Sequence, residues 1–203
     1  MRGATHITLA ALATALLLAP VPKALAATPK LNLKLKNGTE IEQRKKDQIE
    51  HLAQQYDLKK FTKTRDIEID SNAMNHSIPV LTLNAGFLND DDLALSAYVH
   101  EQAHWIFKDR LPFANRQLEA DLEQLVPRMP YQWPQGDGGP LTSYYHLAVC
   151  MLEWQAMEDL VGAERARKVI DWKKSDHYTA IYAAVIEHRA ELERLLRQRG
   201  VKF

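Results

Sequence analysis

The feature that most constrains this chain is a pair of histidines four residues apart within an apolar segment. His100 and His104 enclose Glu101 in the run His-Glu-Gln-Ala-His, and apolar residues recur around them at helical spacing from residue 90 to residue 108. On a helix, residues four apart lie on one face about one turn apart, so both imidazoles can reach one ion. Because imidazoles that face a protein interior cost free energy without a metal or a hydrogen-bond partner, the segment predicts a metal-binding helix.

The order of the residues in this segment is that of the HExxH zinc hydrolases. Such a site combines two nitrogen ligands with an adjacent carboxylate that acts as general base without binding the metal. A catalytic zinc also keeps one position open for water and substrate. We therefore expect Zn²⁺ at His100 and His104, with Glu101 as the catalytic base. The alternative is a pair of surface histidines beside an ordinary helix carboxylate.

The length and composition of the chain fit one soluble globular domain. Of its 203 residues, 46% are apolar and 26% are charged, and Lys plus Arg equals Asp plus Glu. This balance gives no indication of nucleic-acid binding. The single cysteine, Cys150, excludes a disulfide within the chain, and its apolar neighbours indicate a buried, inert thiol.

The first 26 residues have the pattern of a signal peptide. Arg2 supplies a positive charge, residues 7–19 are apolar, and Ala24-Leu25-Ala26 fits a cleavage site. The apolar run is short for a membrane span. Because a lysine so near the cleavage site is unusual, Lys23 leaves an uncleaved membrane anchor as the alternative. We expect an exported protein, periplasmic or secreted, with one domain over residues 27–203 and no stable membrane span once the leader is removed.

The rest of the pattern predicts an α+β fold that is mostly helical, with about three strands beside the metal helix. Alternating apolar residues predict strands at 31–36, 65–70 and 78–84. Pro79 places the last of these at a strand start or a sheet edge. An extended peptide could add to such an edge as a further strand; the alternative is an edge that binds no substrate. Helices are predicted after a capping box at Thr39 and Glu42, then at 115–126, about 142–161 and 163–171, and from about 176 onward.

The third metal ligand has to come from a later element. No histidine follows His104 at the short spacing used by one class of HExxH enzymes. His146 and Glu153 are the two candidates, and both lie on the helix predicted from about residue 142. Seven residues separate them, which is about 10 Å along a helix, so one ion can take only one of them directly.

The segment from residue 78 to about residue 160 resembles the gluzincin metallopeptidases, in which a glutamate on a downstream helix is the third zinc ligand. In that family a small residue commonly follows this glutamate by three positions, as Ala156 follows Glu153 here. The resemblance implies a zincin-like fold, hydrolysis of peptide bonds, and His100, His104 and Glu153 as the zinc ligands.

One position departs from the gluzincin pattern. Many members carry an acid four residues after the glutamate, where it orients a zinc-bound histidine. Met157 stands at that position here, so Glu158 or Asp159 would have to substitute.

Three further residues are candidates for contact with the substrate. His146 either replaces Glu153 as third ligand or donates a hydrogen bond to substrate in the cleft. Tyr178 and its neighbour His177 could stabilise the oxyanion, as a histidine or tyrosine does in related enzymes. A capping histidine and a core tyrosine are the plainer interpretation of that pair.

These assignments predict a zinc metallopeptidase whose partner is a peptide or protein substrate. The alternative function is a zincin-like protein that binds zinc, or acts as an inhibitor, without peptidase activity. A helical scaffold without metal is a third possibility. The intact Glu101 favours the enzyme, because a pure binding site has no need of the base.

Overall fold

A computed structural model describes residues 30–108 and 116–203. The predicted signal peptide and the predicted helix start at residue 115 lie outside these ranges. The fold is α+β and mostly helical, as the sequence predicts. The described elements are β1 (Asn32–Leu35), α1 (Glu40–Gln55), β2 (Asp66–Ile69), β3 (Leu81–Leu83), α2 (Asp91–Lys108), α3 (Arg116–Leu125), α4 (Pro140–Val161), α5 (Ala163–Asp176), α6 (Thr179–Glu187) and α7 (Arg189–Gln198).

The three strands form one parallel sheet in the order β1-β2-β3. Ile67 and Ile69 of β2 are fully buried, as are Leu81 and Leu83 of β3, so the centre of the sheet belongs to the core. The capping box predicted at the start of α1 is confirmed, and this helix connects β1 to β2. Because α2 packs on β3, the sheet supports the predicted metal helix from one side.

β3 lies at the edge of the sheet, as predicted, but its outer side is partly covered. The loop between β2 and β3 folds back so that His76 forms an antiparallel bridge with Thr82. The Thr82 N–H donates to the His76 carbonyl at 2.7 Å, and the His76 N–H donates to the Thr82 carbonyl at 3.1 Å. The exposed edge beside the metal helix is therefore the segment around His76 rather than β3 itself.

The helices surround α4, which packs against α2, α3, α5, α6 and α7. A helix covered on nearly all sides is apolar nearly all round, and α4 is buried from Ser143 to Met157 apart from two positions. For this reason His146 and Glu153 both face the interior. None of the described helices is long and apolar enough to cross a membrane.

The C-terminal helices differ from the prediction in their boundaries. α5 continues to Asp176 instead of ending near residue 171, and the predicted terminal helix is divided into α6 and α7 at His188. The extra length of α5 carries Lys173 to a buried position beside α4. No glycine or proline marks the division at His188, and we have no physical account of it.

Candidate metal centre

Three imidazoles from two helices meet at one point. His100 and His104 come from α2, and His146 comes from α4. One ring nitrogen from each lies within 4.8 Å of the others, and the Nε2 atoms of His100 and His104 are 3.3 Å apart. Tetrahedral zinc with Zn–N distances of about 2.0–2.1 Å places its ligand nitrogens roughly 3.3 Å apart. The donor set and its spacing therefore fit Zn²⁺.

Hydrogen bonds on the other ring nitrogens fix the direction of two of these imidazoles. His100 Nδ1 lies 2.8 Å from Glu153 Oε2, and His146 Nδ1 lies 3.0 Å from the Thr142 carbonyl and 3.3 Å from Asp137 Oδ2. All of these oxygens are acceptors, so Nδ1 carries the proton in both rings and donates. The Nε2 lone pairs are then left for a metal, the arrangement typical of histidine ligands.

Glu153 lies behind His100 and not beside both metal-helix histidines. Its Oε2 accepts from His100 and from the Tyr182 hydroxyl, the latter at 2.8 Å. Its Oε1 accepts from Lys173 Nζ at 2.6 Å and from the Ser96 hydroxyl. The carboxylate thus occupies the Nδ1 edge of the His100 ring, whereas His104 faces the Nε2 edge.

This placement differs from the prediction of Glu153 as third ligand. The structure brings His146 to the two histidines of α2, which is the alternative that the sequence left open. The acid that orients a histidine is Glu153 itself. Glu158 pairs instead with Arg189 at 2.6 Å and Asp159 with Lys60 at 2.6 Å.

A second group of potential ligands, His100, Cys150 and Glu153, does not form an open site. All three side chains are buried, with Cys150 and Glu153 fully so. Burial also raises the pKa of the Cys150 thiol well above its usual value, with a smaller contribution from the charge of Glu153. The Lys173 ammonium already neutralises the carboxylate. A cation here would compete with that ion pair and would have no room for substrate.

Burial keeps the three imidazoles neutral. It lowers the pKa of His100 to about 4, although the Glu153 carboxylate acts in the opposite direction. It lowers the pKa of His146 as well, and that of His104 strongly, with His100 and His146 contributing to the latter. Neutral imidazole is the form that binds a metal, so these rings are in the metal-binding form at neutral pH.

Glu101 lies next to His100 and lines the same cavity as the three imidazoles. Burial raises the pKa of its carboxyl to about 7, against the hydrogen bond from Ser77 and the charge of Lys173. The Ser77 hydroxyl donates to Glu101 Oε2 at 2.5 Å. A buried carboxyl with a pKa near neutrality is suited to accept and return a proton.

The cavity in front of the imidazoles has a volume of about 540 Å³. A second cavity of about 230 Å³ adjoins it, and the two share Asn75, His100, Glu101 and Tyr178. Together they form one cleft, with Glu101 in the wall that both cavities share. Trp133, from the loop before α4, lines the second cavity.

Tyr178 lies in the site, as the sequence suggests, but its hydroxyl is engaged. It donates to Asp137 Oδ1 at 2.9 Å, and its ring centroid is 4.6 Å from that of His146. The same aspartate lies 3.3 Å from His146 Nδ1, whose hydrogen bond goes to the Thr142 carbonyl. His177, whose Nδ1 is 2.6 Å from Asp176 Oδ2, lines the second cavity and lies outside the group of imidazoles.

Sequence reasoning missed the residues that support these groups. Lys173 looks like part of a solvated helix face, because charged residues surround it in the sequence. Asp137 lies in a loop rich in glycine and proline, and Ser77 lies in a polar turn. None has a fixed spacing from the HExxH segment, so only the folded chain relates them to it.

Comparison with family models, with curated proteins and with solved structures finds no match for this chain. The resemblance to the gluzincins rests on the sequence motifs alone and stays a prediction. The function has to be argued from the geometry of the site.

Proposed function

We propose that this protein is a zinc-dependent hydrolase of peptide bonds, with His100, His104 and His146 as the metal ligands and Glu101 as general base. The observation that carries the proposal is the meeting of three neutral imidazoles at a cavity that a buried carboxyl also lines. A site that only stores a metal needs the ligands but has no need of the carboxyl. A site that hydrolyses needs both, together with space for a substrate.

The donor set favours zinc over hard cations. Three imidazoles with no carboxylate among them suit Zn²⁺, whereas Mg²⁺ and Ca²⁺ prefer oxygen ligands. When bound at such a site, zinc supplies Lewis acidity and makes water a stronger nucleophile at neutral pH.

The side chains of the chain supply the remaining steps. Glu101 takes a proton from the water that attacks the substrate carbonyl, and then gives it to the leaving amine. Glu153 and the Thr142 carbonyl accept the Nδ1 protons of His100 and His146, so that both Nε2 atoms stay directed at the cavity. Tyr178 closes one side of the site while Asp137 holds its hydroxyl.

The edge beside the cavity favours an extended peptide as substrate. His76 directs its backbone N–H and C=O to Thr82, and in an extended segment those of the residues on either side point to the opposite face. Asn75, Ser77 and Ile78 line the cavity in front of the imidazoles. A peptide that lay along this segment would gain backbone hydrogen bonds beside Glu101.

The decisive experiment measures zinc content and peptide cleavage in the same preparations. We expect one zinc per chain in the wild type, loss of zinc in His146→Ala, and retention of zinc in a control, His51→Ala, whose histidine is exposed on α1. Glu101→Gln should keep the zinc while its turnover of a cleaved peptide falls by roughly 10²–10⁴-fold.

The same measurements distinguish the alternatives. Zinc retained by His146→Ala and lost by Glu153→Gln would indicate that Glu153 is the third ligand, as in the gluzincins. Zinc binding without cleavage of any peptide in a broad library would favour the binding or inhibitory protein. A wild-type chain without zinc affinity would refute the metal site altogether.

A further inference from the structure

The cavity of about 230 Å³ that adjoins the larger one has a wall that no proposed step uses. It extends from Asn75 and Asn84 to Lys173, and Phe87 and Tyr178 supply part of its apolar surface. The latter two have φ angles of 61° and 51°, in the left-handed region that non-glycine residues seldom adopt. Of the three described non-glycine residues with positive φ, two therefore lie at this cavity.

The two asparagines of this wall present N–H donors. Asn75 Oδ1 accepts the Asn84 backbone N–H at 2.7 Å, and Asn84 Oδ1 accepts the Gly86 backbone N–H at 2.8 Å. A backbone N–H can pair only with an acceptor, so these bonds determine which end of each amide is oxygen. Within the described residues both NH₂ groups remain without a partner, and each offers two N–H donors.

Lys173 adds a third donor group at the same wall. Its side chain is only 3% exposed, and its one hydrogen bond within the described residues goes to Glu153. An ammonium has three N–H donors, so two are left. The Tyr182 ring, whose centroid is 5.8 Å from Nζ, attracts the ammonium but accepts none of its conventional hydrogen bonds. Donors that line a cavity without acceptors among the described residues suit a ligand that supplies the acceptors.

We propose that this cavity binds a carboxylate, through the side-chain amides of Asn75 and Asn84 and the ammonium of Lys173. A carboxylate only accepts hydrogen bonds and has about four acceptor positions, which matches a wall made of donors. Two acids also line the cavity, and each already has a hydrogen-bond partner. Asp176 is half exposed and turned to His177, and Glu101 accepts from Ser77. The charge of Glu153 is matched by Lys173.

The position of the cavity gives this carboxylate a role in substrate selection. It shares Asn75, His100, Glu101 and Tyr178 with the larger cavity, so a peptide in the cleft would place a neighbouring residue there. That role rests on the proposed peptidase activity, whereas binding of a carboxylate does not. The carboxylate would belong either to an acidic side chain or to the end of a peptide chain.

Binding of three small probes tests the proposal and separates the two sources. N-acetylglutamate α-amide carries only a side-chain carboxylate, N-acetylglutamine carries only a terminal one, and N-acetylglutamine α-amide is neutral. Dissociation constants are measured on the full chain from the ¹H–¹⁵N signals of the Asn75 and Asn84 amides, with and without zinc. We expect at least one carboxylate probe to bind about tenfold or more tightly than the neutral probe, since charge-assisted hydrogen bonds are the stronger ones.

Two variants locate the binding. Asn84→Asp keeps the acceptor for the Gly86 N–H but replaces the two donors with a charged oxygen, so it should abolish the preference for carboxylate. Asn72→Asp adds the same charge at an exposed position in the loop before β3 that does not line the cavity, and should retain the preference.

Three results would overturn the proposal. The three probes could bind equally, or the two variants could weaken carboxylate binding equally, which would indicate general repulsion. The preference could also require zinc and survive Asn84→Asp, which would place the carboxylate on the metal. Failure of zinc binding or peptidase activity would refute the proposed function, but the probe results would still test whether this cavity binds a carboxylate.

Discussion

Lys173→Met is the substitution that tests most directly how the proposed metal centre is supported. Lys173 and Glu153 form an ion pair at 2.6 Å, with side chains 3% and 0% exposed. Methionine keeps most of the length of the lysine stem but removes the charge. The substitution therefore leaves Glu153 as a buried carboxylate whose charge is no longer matched.

The expected loss of stability follows from this burial. Breaking a buried ion pair by removing one partner costs about 3–5 kcal/mol. Glu153 keeps three donors, from His100, Ser96 and Tyr182, so we expect the lower end, about 3 kcal/mol of unfolding free energy. Replacing both partners, in Lys173→Met with Glu153→Gln, should recover most of the loss, because no unmatched charge remains.

Zinc affinity should fall along with stability. Glu153 holds His100 through Nδ1, and its Oε1 is held by Lys173. Losing a group that supports a ligand in this way typically weakens metal binding by about 10–100-fold. We expect a fall in this range for Lys173→Met, measured by competition with a chelator at constant pH.

The assay for stability is equilibrium unfolding in urea with the zinc removed, because bound metal adds stability by mass action. Lys168→Met is the matched control. Lys168 lies on the same helix and pairs with Glu164 at 2.7 Å, but these side chains are 72% and 84% exposed. We expect no measurable change in the control. Equal stability of Lys173→Met and Lys168→Met would refute the reasoning.

Three further predictions concern other parts of the chain. Hydrogen bonds outweigh burial and lower the pKa of Glu42 to about 2, so its contribution to the free energy of unfolding is present above pH 4.5 and is lost as the pH falls toward 2. In Glu42→Gln, the free energy of unfolding should therefore change less over this pH range than in the wild type. Leu81→Ala in the core should cost about 2–5 kcal/mol in urea unfolding, and the exposed Val80→Ala far less. Asp137→Asn should weaken zinc binding by about tenfold in chelator competition, because it removes the negative charge 3.3 Å from His146 Nδ1, with little change in the urea midpoint.

Local patterns were sufficient to predict most of the secondary structure. The capping box at Thr39 and the alternation in 65–70 each depend on a few neighbouring residues, and both elements form as predicted. The division at His188 has no such local signal, since neither glycine nor proline stands there. The bridge between His76 and Thr82 depends on how a loop folds back on β3, which alternation in the strand does not encode.

The histidine pair of α2 could be predicted because both residues belong to one helix, whose geometry is known in advance. Its supporting residues could not. Ser77 and Lys173 come from other elements, and their distance from Glu101 and Glu153 depends on the packing of a loop and of α5. A sequence pattern has no fixed spacing for contacts of this kind.

The choice between His146 and Glu153 shows where reasoning from spacing needs the fold. Seven residues on a helix put the two side chains about 10 Å apart, and this spacing predicts that one ion binds only one of them directly. The structure places the His100 ring between them, with Glu153 at its Nδ1 and His146 on its Nε2 side, 5.5 Å between ring centroids. Both residues can therefore serve one ion, His146 by direct contact and Glu153 through an imidazole. The two-turn separation on α4 is then what allows a single histidine of α2 to contact both.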